Sequence, residues 1–235
     1  GVMRTIAQKL FAGQIEAEVA ERLPAAVDKS VSMLGWRKLT GAPTRELPMM
    51  DQARAIEVAY WLWKTNPLAR WIIEVVTAFV AAKGFPLSCT HPEVERILRE
   101  FWDDPVNRMD LHWENFIREL GIYGEQCWPC FVAEQTGRVR LGYVDPAWIQ
   151  EVYADPANVK IKIGLTVGSP DGGGKTSKYR IVLDEEHEQV LSDEAKALRE
   201  SMVDGECFFF TINALTNEMR GTSDLFEVAD HLDGY

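Results

Sequence analysis

The stretch GIYGEQCWPCFV, residues 121–132, is where the chain changes from helical to extended sequence patterns. Upstream of it, MDLHWENFIRELGIYG has the apolar spacing of a helix that begins near Asp110 and ends at Gly121 or Gly124. Downstream, EQCWPCFVAEQTGRVRLGYV predicts two strands joined by a turn at residues 135–137. We therefore expect helices before this stretch and strands after it.

Three further helices are predicted upstream. MDQARAIEVAYWLWKTN has Asp51 as a candidate N-cap, and PLARWIIEVVTAFVAAKG follows Asn66, a second N-cap, with Pro at the first helical position. The latter helix is apolar around most of its circumference, which predicts deep burial. GFPLSC reads as a short strand, and PEVERILREFWDD after His91 reads as the third helix. Trp61, Trp63 and Trp71 have helical spacing, which favours core positions over contacts between subunits.

The chain before these helices predicts a separate arm. Residues 5–23 have helical apolar spacing, and residues 28–50 are a mixed, Gly- and Pro-containing linker. We therefore divide the chain into an N-terminal helix and linker arm, residues 1–50, and an α/β region, residues 51–235. Because the first residue is Gly1 and not Met, we expect the native N-terminus to lie outside this sequence.

Strand patterns dominate the rest of the chain. KIKIGLTV continues an alternation of apolar residues that begins at Val159, and KYRIVL and GECFFFTIN are two more strands. A short helix at EAKALRESM separates them. The predicted fold class is α+β (mixed α/β), with N-terminal helices followed by a mostly antiparallel β region.

The glycine-rich stretch GSPDGGGKT, residues 168–176, resembles the end of a phosphate-binding loop. That motif needs a glycine five residues before Gly174, and this position is Ser169. It also needs a helix after the lysine, whose N-terminus helps to hold the phosphate, and SKYRIVL reads as a strand. The favoured interpretation is a hairpin connection. Lys160, Lys162, Lys175 and Lys178 bracket it, and a solvated tip competes with a contact for DNA or a partner protein.

The cysteines do not predict a redox or metal site. Cys127 and Cys130 form a C-x-x-C motif, but within a strand these residues point to opposite faces. Cys89 and Cys207 are single and distant in sequence, so no second pair completes a zinc site. Buried thiols in a reducing, intracellular setting are the favoured interpretation.

Composition and the remaining polar residues predict no enzyme. The formal net charge of −11 argues against a surface that grips nucleic acid throughout. The four histidines lack a partner at i+4, and no nucleophile elbow is visible. Carboxylates number 36 of 235 residues, so pairs occur by chance. We expect no catalytic residue, no cofactor and no metal.

Several stretches, taken in order, resemble the N-terminal half of the portal proteins of tailed double-stranded DNA bacteriophages. They cover about residues 50–235 and comprise NPLARWIIEVVTAFVAAKGF, ILREFWDDPVNRMDLHWENFIRELGIYGEQCWPCFV, GRVRLGYVDPAWIQEVYADPANV and CFFFTINALTNEMRGTSDLFEVADHLDGY. No single one of these motifs is specific, and their order carries the resemblance.

The resemblance implies a structural subunit with a portal wing-like α/β region. In this family about twelve copies form a ring at one capsid vertex, through which double-stranded DNA passes without sequence specificity. The implied partners are other copies of the chain, the terminase motor, capsid and scaffolding proteins, and tail or adaptor proteins. The implied location is the portal vertex of the virion, after assembly in the host cytoplasm. An acidic channel would repel DNA phosphates, although solubility explains the same charge equally well.

The chain departs from the family at its C-terminal side. The stem, clip, tunnel loop and crown of portal proteins have no counterpart, so we expect a fragment whose last segment begins a helix at Asp224. Two alternatives stay open. One is a different virion or morphogenesis protein, and the other is a nucleotide-binding or thiol-redox enzyme using GSPDGGGKT or CWPC.

The Arg-Gly-x-Ser-Asp-Leu turn contains the candidate structural residues Arg220, Gly221, Ser223 and Asp224. At a strand-to-helix corner, Arg220 is suited to bind backbone carbonyls or the carboxylate of a neighbouring subunit. Gly221 is expected to hold a backbone conformation that other residues resist.

Overall fold

The computed structural model describes residues 49–85, 87–168 and 176–229. Four helices come first: α1 is Met49–Thr65, α2 is Pro67–Ala81, α3 is Pro92–Trp102 and α4 is Met109–Tyr123. The predicted short strand at GFPLSC is wrong, because the described residues between α2 and α3 form no strand. The proposed N-terminal helix and most of the linker arm lie outside the described residues.

One mixed sheet follows the helices. Its strands are β1 Glu125–Val132, β2 Val139–Leu141, β3 Ile149–Asp155, β4 Asn158–Val167, β5 Ser177–Ile181 and β6 Glu206–Thr211, arranged in the order β2-β1-β6-β5-β4-β3. A 3₁₀ turn, Pro146–Trp148, precedes β3, and two short helices, α5 Glu185–Val190 and α6 Asp193–Glu200, connect β5 to β6. The predicted α+β class with a mostly antiparallel sheet is confirmed.

A single parallel contact joins the two halves of the sheet. β5 and β6 are parallel and pair at only two positions, Arg180 with Glu206 and Ile181 with Cys207. Every other neighbouring pair is antiparallel. The parallel arrangement follows from the crossover through α5 and α6, since parallel neighbours cannot be joined by a tight hairpin.

The glycine-rich residues 169–175 lie outside the described residues, but both flanks are described. β4 pairs antiparallel with β5, and Val167 is opposite Ser177. The predicted hairpin connection is therefore confirmed, and the segment after the loop is a strand where a phosphate-binding loop needs a helix.

Among the described residues, the apolar interior has three clusters. One fills the sheet face and includes Val152, Leu165 and Ile181. A second lies among α1, α2 and α4 and includes Leu62, Ile73 and, from the C-terminal segment, Leu225. The third lies under α6. The chain after β6 is thus part of the helical layer's core.

Local signals identified two helix ends correctly and one incorrectly. Asn66 caps α2, because its Oδ1 accepts hydrogen bonds from the backbone N–H groups of Leu68 (2.9 Å) and Ala69 (3.1 Å). Gly124 caps α4 with a left-handed φ of 79°. Asp51 is not the N-cap of α1, since that helix begins two residues earlier at Met49.

The prediction that α2 is deeply buried is wrong. Only Ala69, Ile73 and Thr77 are buried, because α1, α4 and Leu225 cover one face of the helix. Trp61 and Trp71 are likewise exposed, while Trp63 is half-buried against the helical core.

We predict that Asn66→Ala lowers the free energy of unfolding by about 1 kcal/mol, because two N–H groups at the start of α2 lose their acceptor. Urea unfolding followed by circular dichroism measures the change. Asn66→Asp keeps the acceptor and should be nearly neutral. Equal losses in the two variants would contradict the capping role.

Candidate functional site

Two dipeptides, Gly124-Glu125 and Arg220-Gly221, meet where the helical layer joins the sheet. Gly124 ends α4 and Glu125 begins β1, whereas Arg220 and Gly221 lie in the segment after β6. Backbone hydrogen bonds hold the approach, since Ile212 N–H donates to the Gly124 carbonyl at 2.8 Å. We call this the Arg–Glu junction.

The ion pair at the centre of the Arg–Glu junction is buried. Glu125 is fully buried, and the Arg220 side chain is 9% exposed. Arg220 Nε donates to Glu125 Oε2 at 2.8 Å, and Nη2 donates to Oε1, giving a forked contact. The remaining donors reach the carbonyls of Ile149 (3.0 Å) and Pro146 (3.3 Å). Both charges are therefore paired and hydrogen-bonded, as burial requires.

Backbone contact explains the glycines of the junction. A Cβ on Gly221 would lie 1.9 Å from the Gly124 carbonyl oxygen, and a Cβ on Gly124 would lie 2.2 Å from the Thr222 carbonyl carbon. The predicted reason for Gly221 is wrong, because its φ is not in the left-handed region. Gly221 is needed because two backbones touch there, and Gly124 is needed for both contact and φ.

The other two candidate residues of this turn extend the junction into the helical layer. Ser223 Oγ donates to the Gly121 carbonyl at 3.1 Å and accepts from Leu225 N–H at 3.1 Å. Asp224 accepts from the side-chain amide of Asn213 at 2.7 Å. The described residues after Asp224 form turns as far as Val228 and Ala229 is helical, so the helix begins about five residues later than predicted.

Sequence reasoning found Arg220 but missed its partners. The predicted carbonyl contacts are present, while the carboxylate belongs to the same chain, 95 residues away. Gln52 was also missed, and its side-chain amide donates to the Gly221 carbonyl at 2.7 Å. A signal for Glu125 existed, because a carboxylate at the start of the apolar strand EQCWPCFV calls for a buried cation.

The structure does not bring the candidate lysines together. Lys160 lies near the turn between β3 and β4, whereas Lys178 is opposite Thr166 near the other end of β4. The six residue steps from Lys160 to Thr166 span about 20 Å along the strand. Lys162 donates to Thr211 Oγ1 at 3.0 Å and lies over the Phe209 ring. Lys175 lies outside the described residues.

The cysteines of the sheet form a buried group. Cys127 on β1 and Cys207 on β6 are both fully buried, and Cys130 is half-buried. Cys207 is distant from Cys127 in sequence, but the two residues lie in the same core cluster of the sheet, on paired strands. The neighbouring Cys127 thiol, together with burial, raises the pKa of the Cys207 thiol, and burial raises that of Cys130. These thiols favour the neutral form, which is the less nucleophilic one.

An apolar stripe runs along the outer side of α2. Its exposed members recur at helical spacing, and Trp71 and Phe79 are 63% and 79% exposed. We define the α2 stripe as Leu68, Trp71, Ile72, Val75, Val76 and Phe79. One polar flank of α2 is already engaged, since Glu74 accepts from Arg118 of α4 at 2.8 and 3.0 Å. The hydrogen bond to Arg118 lowers the pKa of the Glu74 carboxyl.

Within the described ranges, no cluster of His, Cys, Asp and Glu has the arrangement of a metal site. Among those same residues, no helix has the length and apolar character needed to cross a bilayer.

No protein-family model matches the chain, and no curated protein matches its sequence.

We predict that Arg220→Ala lowers the free energy of unfolding by about 3–5 kcal/mol, because it leaves the Glu125 carboxylate buried and unpaired. Urea unfolding measures the loss. The double variant Glu125→Gln, Arg220→Met removes both charges. Its loss of unfolding free energy should be smaller than the summed losses of Glu125→Gln and Arg220→Met measured separately. A loss below about 1 kcal/mol for Arg220→Ala would contradict the role of the pair.

We predict that Cys127 and Cys207 resist a thiol reagent in the native protein at pH 7, since they are buried and the Cys207 thiolate is disfavoured. In denaturant all four cysteines should react, which provides the control. Rapid native labelling of Cys207 would overturn this assignment.

The raised pKa of Cys207 predicts that the stability of the protein depends on pH. The pKa of Cys207 is raised above its ordinary 9.0, so the unfolded chain releases this proton first as the pH rises. Stability should therefore fall above about pH 9, and Cys207→Ala should weaken that fall.

Proposed function

We propose that this chain is a structural subunit of the portal ring of a tailed double-stranded DNA bacteriophage. The ring would form the vertex channel for DNA packaging and ejection, and would bind terminase, capsid, scaffolding and tail proteins. The observation that carries the proposal is the α2 stripe, an apolar surface that one copy leaves exposed. The order of segments that resembles portal proteins supplies the class of assembly.

The size of the α2 stripe supports an assembled protein. Full side-chain areas on the order of 150–250 Å² for aromatic residues give roughly 500 Å² of exposed apolar surface along it. Contiguous patches of this size on soluble proteins are usually interaction sites. Trp71 and Phe79 are its largest exposed members, and aromatic residues are the commonest anchors of protein interfaces.

The Arg–Glu junction, which fixes the helical layer against the sheet, supports a scaffold role. It joins the end of α4, the start of β1 and the segment after β6 through a forked ion pair and two backbone contacts. Gly221 N–H also donates to Glu125 Oε2, at 3.2 Å. A subunit that guides a moving polymer needs its layers held at a fixed angle, and close-packed interiors transmit strain in this way.

The charge of the chain is compatible with passing DNA. A net charge of −11 gives a surface that repels phosphates, so DNA would move past without adhering. Specific DNA-binding proteins have the opposite character, with basic faces that neutralise phosphates.

The proposal is tested by particle size. Full-length protein should form rings of about twelve copies with a central channel, seen by negative-stain electron microscopy and weighed by mass photometry. A small oligomer without a channel would favour another virion or morphogenesis protein. A compact monomer at all concentrations would refute the proposal.

Matched variants connect the ring to the α2 stripe. Trp71→Glu with Phe79→Glu adds two negative charges to the stripe and should abolish rings, because burying unpaired charges is costly. Arg70→Glu makes the same change in net charge at an exposed position off the stripe and should retain them. Rings that survive the stripe variant would remove the stripe from the interface.

A further inference from the structure

Strand β2 is one edge of the sheet, and its bonds to β1 show which of its backbone groups face outward. Arg138 C=O accepts from β1's end at 2.9 Å, and Gly142 N–H donates to β1 at 2.8 Å. Bonded and non-bonded positions alternate along an antiparallel pair, so Val139 and Leu141 point their N–H and C=O groups away from β1. We call these outward-facing groups of Val139 and Leu141 the β2 edge.

The side chain of Asn107 occupies the β2 edge. Its Nδ2 donates to the Val139 carbonyl at 3.0 Å, and its Oδ1 accepts from Leu141 N–H at 3.0 Å. A residue of a neighbouring parallel strand makes the same pair of bonds, to a C=O and an N–H two residues apart. The amide of Asn107 therefore takes the place of an added strand.

The position of this amide is fixed. Asn107 is 5% exposed, and its Nδ2 also donates to the Phe101 carbonyl at 3.2 Å. A flipped amide would face its oxygen toward two carbonyl oxygens, so one orientation is favoured. The turn between α3 and α4 holds the backbone of Asn107, since Asp104 Oδ1 accepts from its N–H at 3.2 Å.

The opposite edge of the sheet is protected in a different way. The register of β3 against β4 is interrupted at three places, and irregular strands are poor templates for pairing. The Ile149 carbonyl at the start of β3 also accepts from Arg220 at 3.0 Å. β2 pairs with β1 in a regular register, so the β2 edge is the better template of the two, and Asn107 covers it.

We propose that Asn107 is an autoinhibitory contact that closes the β2 edge to pairing with the same edge of a second copy. Two such edges present identical N–H and C=O groups, and an antiparallel pair about a two-fold axis would satisfy both. The proposal goes beyond the portal function, because it restricts assembly to other surfaces whichever particle the protein forms.

The first test removes the amide. Asn107→Ala in the full chain leaves the β2 edge open, so sedimentation velocity should show concentration-dependent association beyond that of the wild type, with at least a doubling of particle mass. Hydrogen–deuterium exchange supplies a local readout. At low concentration the Leu141 amide of the variant should exchange roughly tenfold faster than in the wild type, and it should slow as pairing increases.

Two controls separate an open edge from a general loss of stability. Asn66→Ala makes the same substitution at the start of α2, where it removes two hydrogen bonds and leaves the β2 edge closed. It should not associate beyond the wild type. Asn107→Ala with Val139→Pro removes an outward N–H that β1 does not use, and proline is tolerated at such edge positions. This double variant should lose the added association.

A measurement on the unaltered protein covers the case in which Asn107→Ala does not fold. The wild-type Leu141 amide should exchange as slowly as that of Gly142, which bonds to β1 at 2.8 Å, although it lies on the outer side of an edge strand. Fast exchange of the Leu141 amide in the wild type would refute the closed edge.

The remaining outcomes also decide the proposal. Folded Asn107→Ala that associates no more than the wild type refutes the autoinhibitory role. Equal association of Asn66→Ala, or association that persists with Val139→Pro, assigns the effect to lost stability and refutes pairing through the β2 edge. None of these results alters the portal proposal, which is decided by the particle that the wild type forms.

Discussion

The ion pair of Arg220 and Glu125 sets how the helical layer and the sheet meet. Removing two charges from water costs free energy that their attraction barely repays, so the pair adds little net stability. The pair instead fixes geometry, because Arg220 can bond Glu125 and the two backbone carbonyls together in only one arrangement of the surrounding backbone. Gly124 and Gly221 then allow the two backbones to touch. The placement of Leu225 in the helical core follows from that approach.

Local chemistry made much of the fold predictable, and distance along the chain limited the rest. Asn66 caps the start of α2 and Gly124 caps the end of α4, each through contacts a few residues away, so sequence patterns located both. Glu125 and Arg220 are 95 residues apart, and nothing local indicates that they meet. The burial of α2 was mispredicted because apolar residues show which surface avoids water but do not identify what covers it. The lysines around the glycine-rich connection show the same limit, because Lys160 and Lys178 lie on neighbouring strands at positions about 20 Å apart along the strand direction.

The molecule combines a buried polar junction, whose groups are paired, with an exposed apolar helix surface. The junction is saturated, with its donors and acceptors paired inside one chain. The α2 stripe is the reverse, an apolar surface whose largest members are exposed. That open surface is the feature on which the portal proposal is based.

The parallel contact of β5 with β6 has a mechanical consequence. It joins a three-stranded plate, β2-β1-β6, to another, β5-β4-β3, through two register positions, whereas each plate is stitched internally by longer antiparallel ladders. Two pairings resist bending less than the six pairings between β1 and β6, so we expect the sheet to bend most easily along this seam.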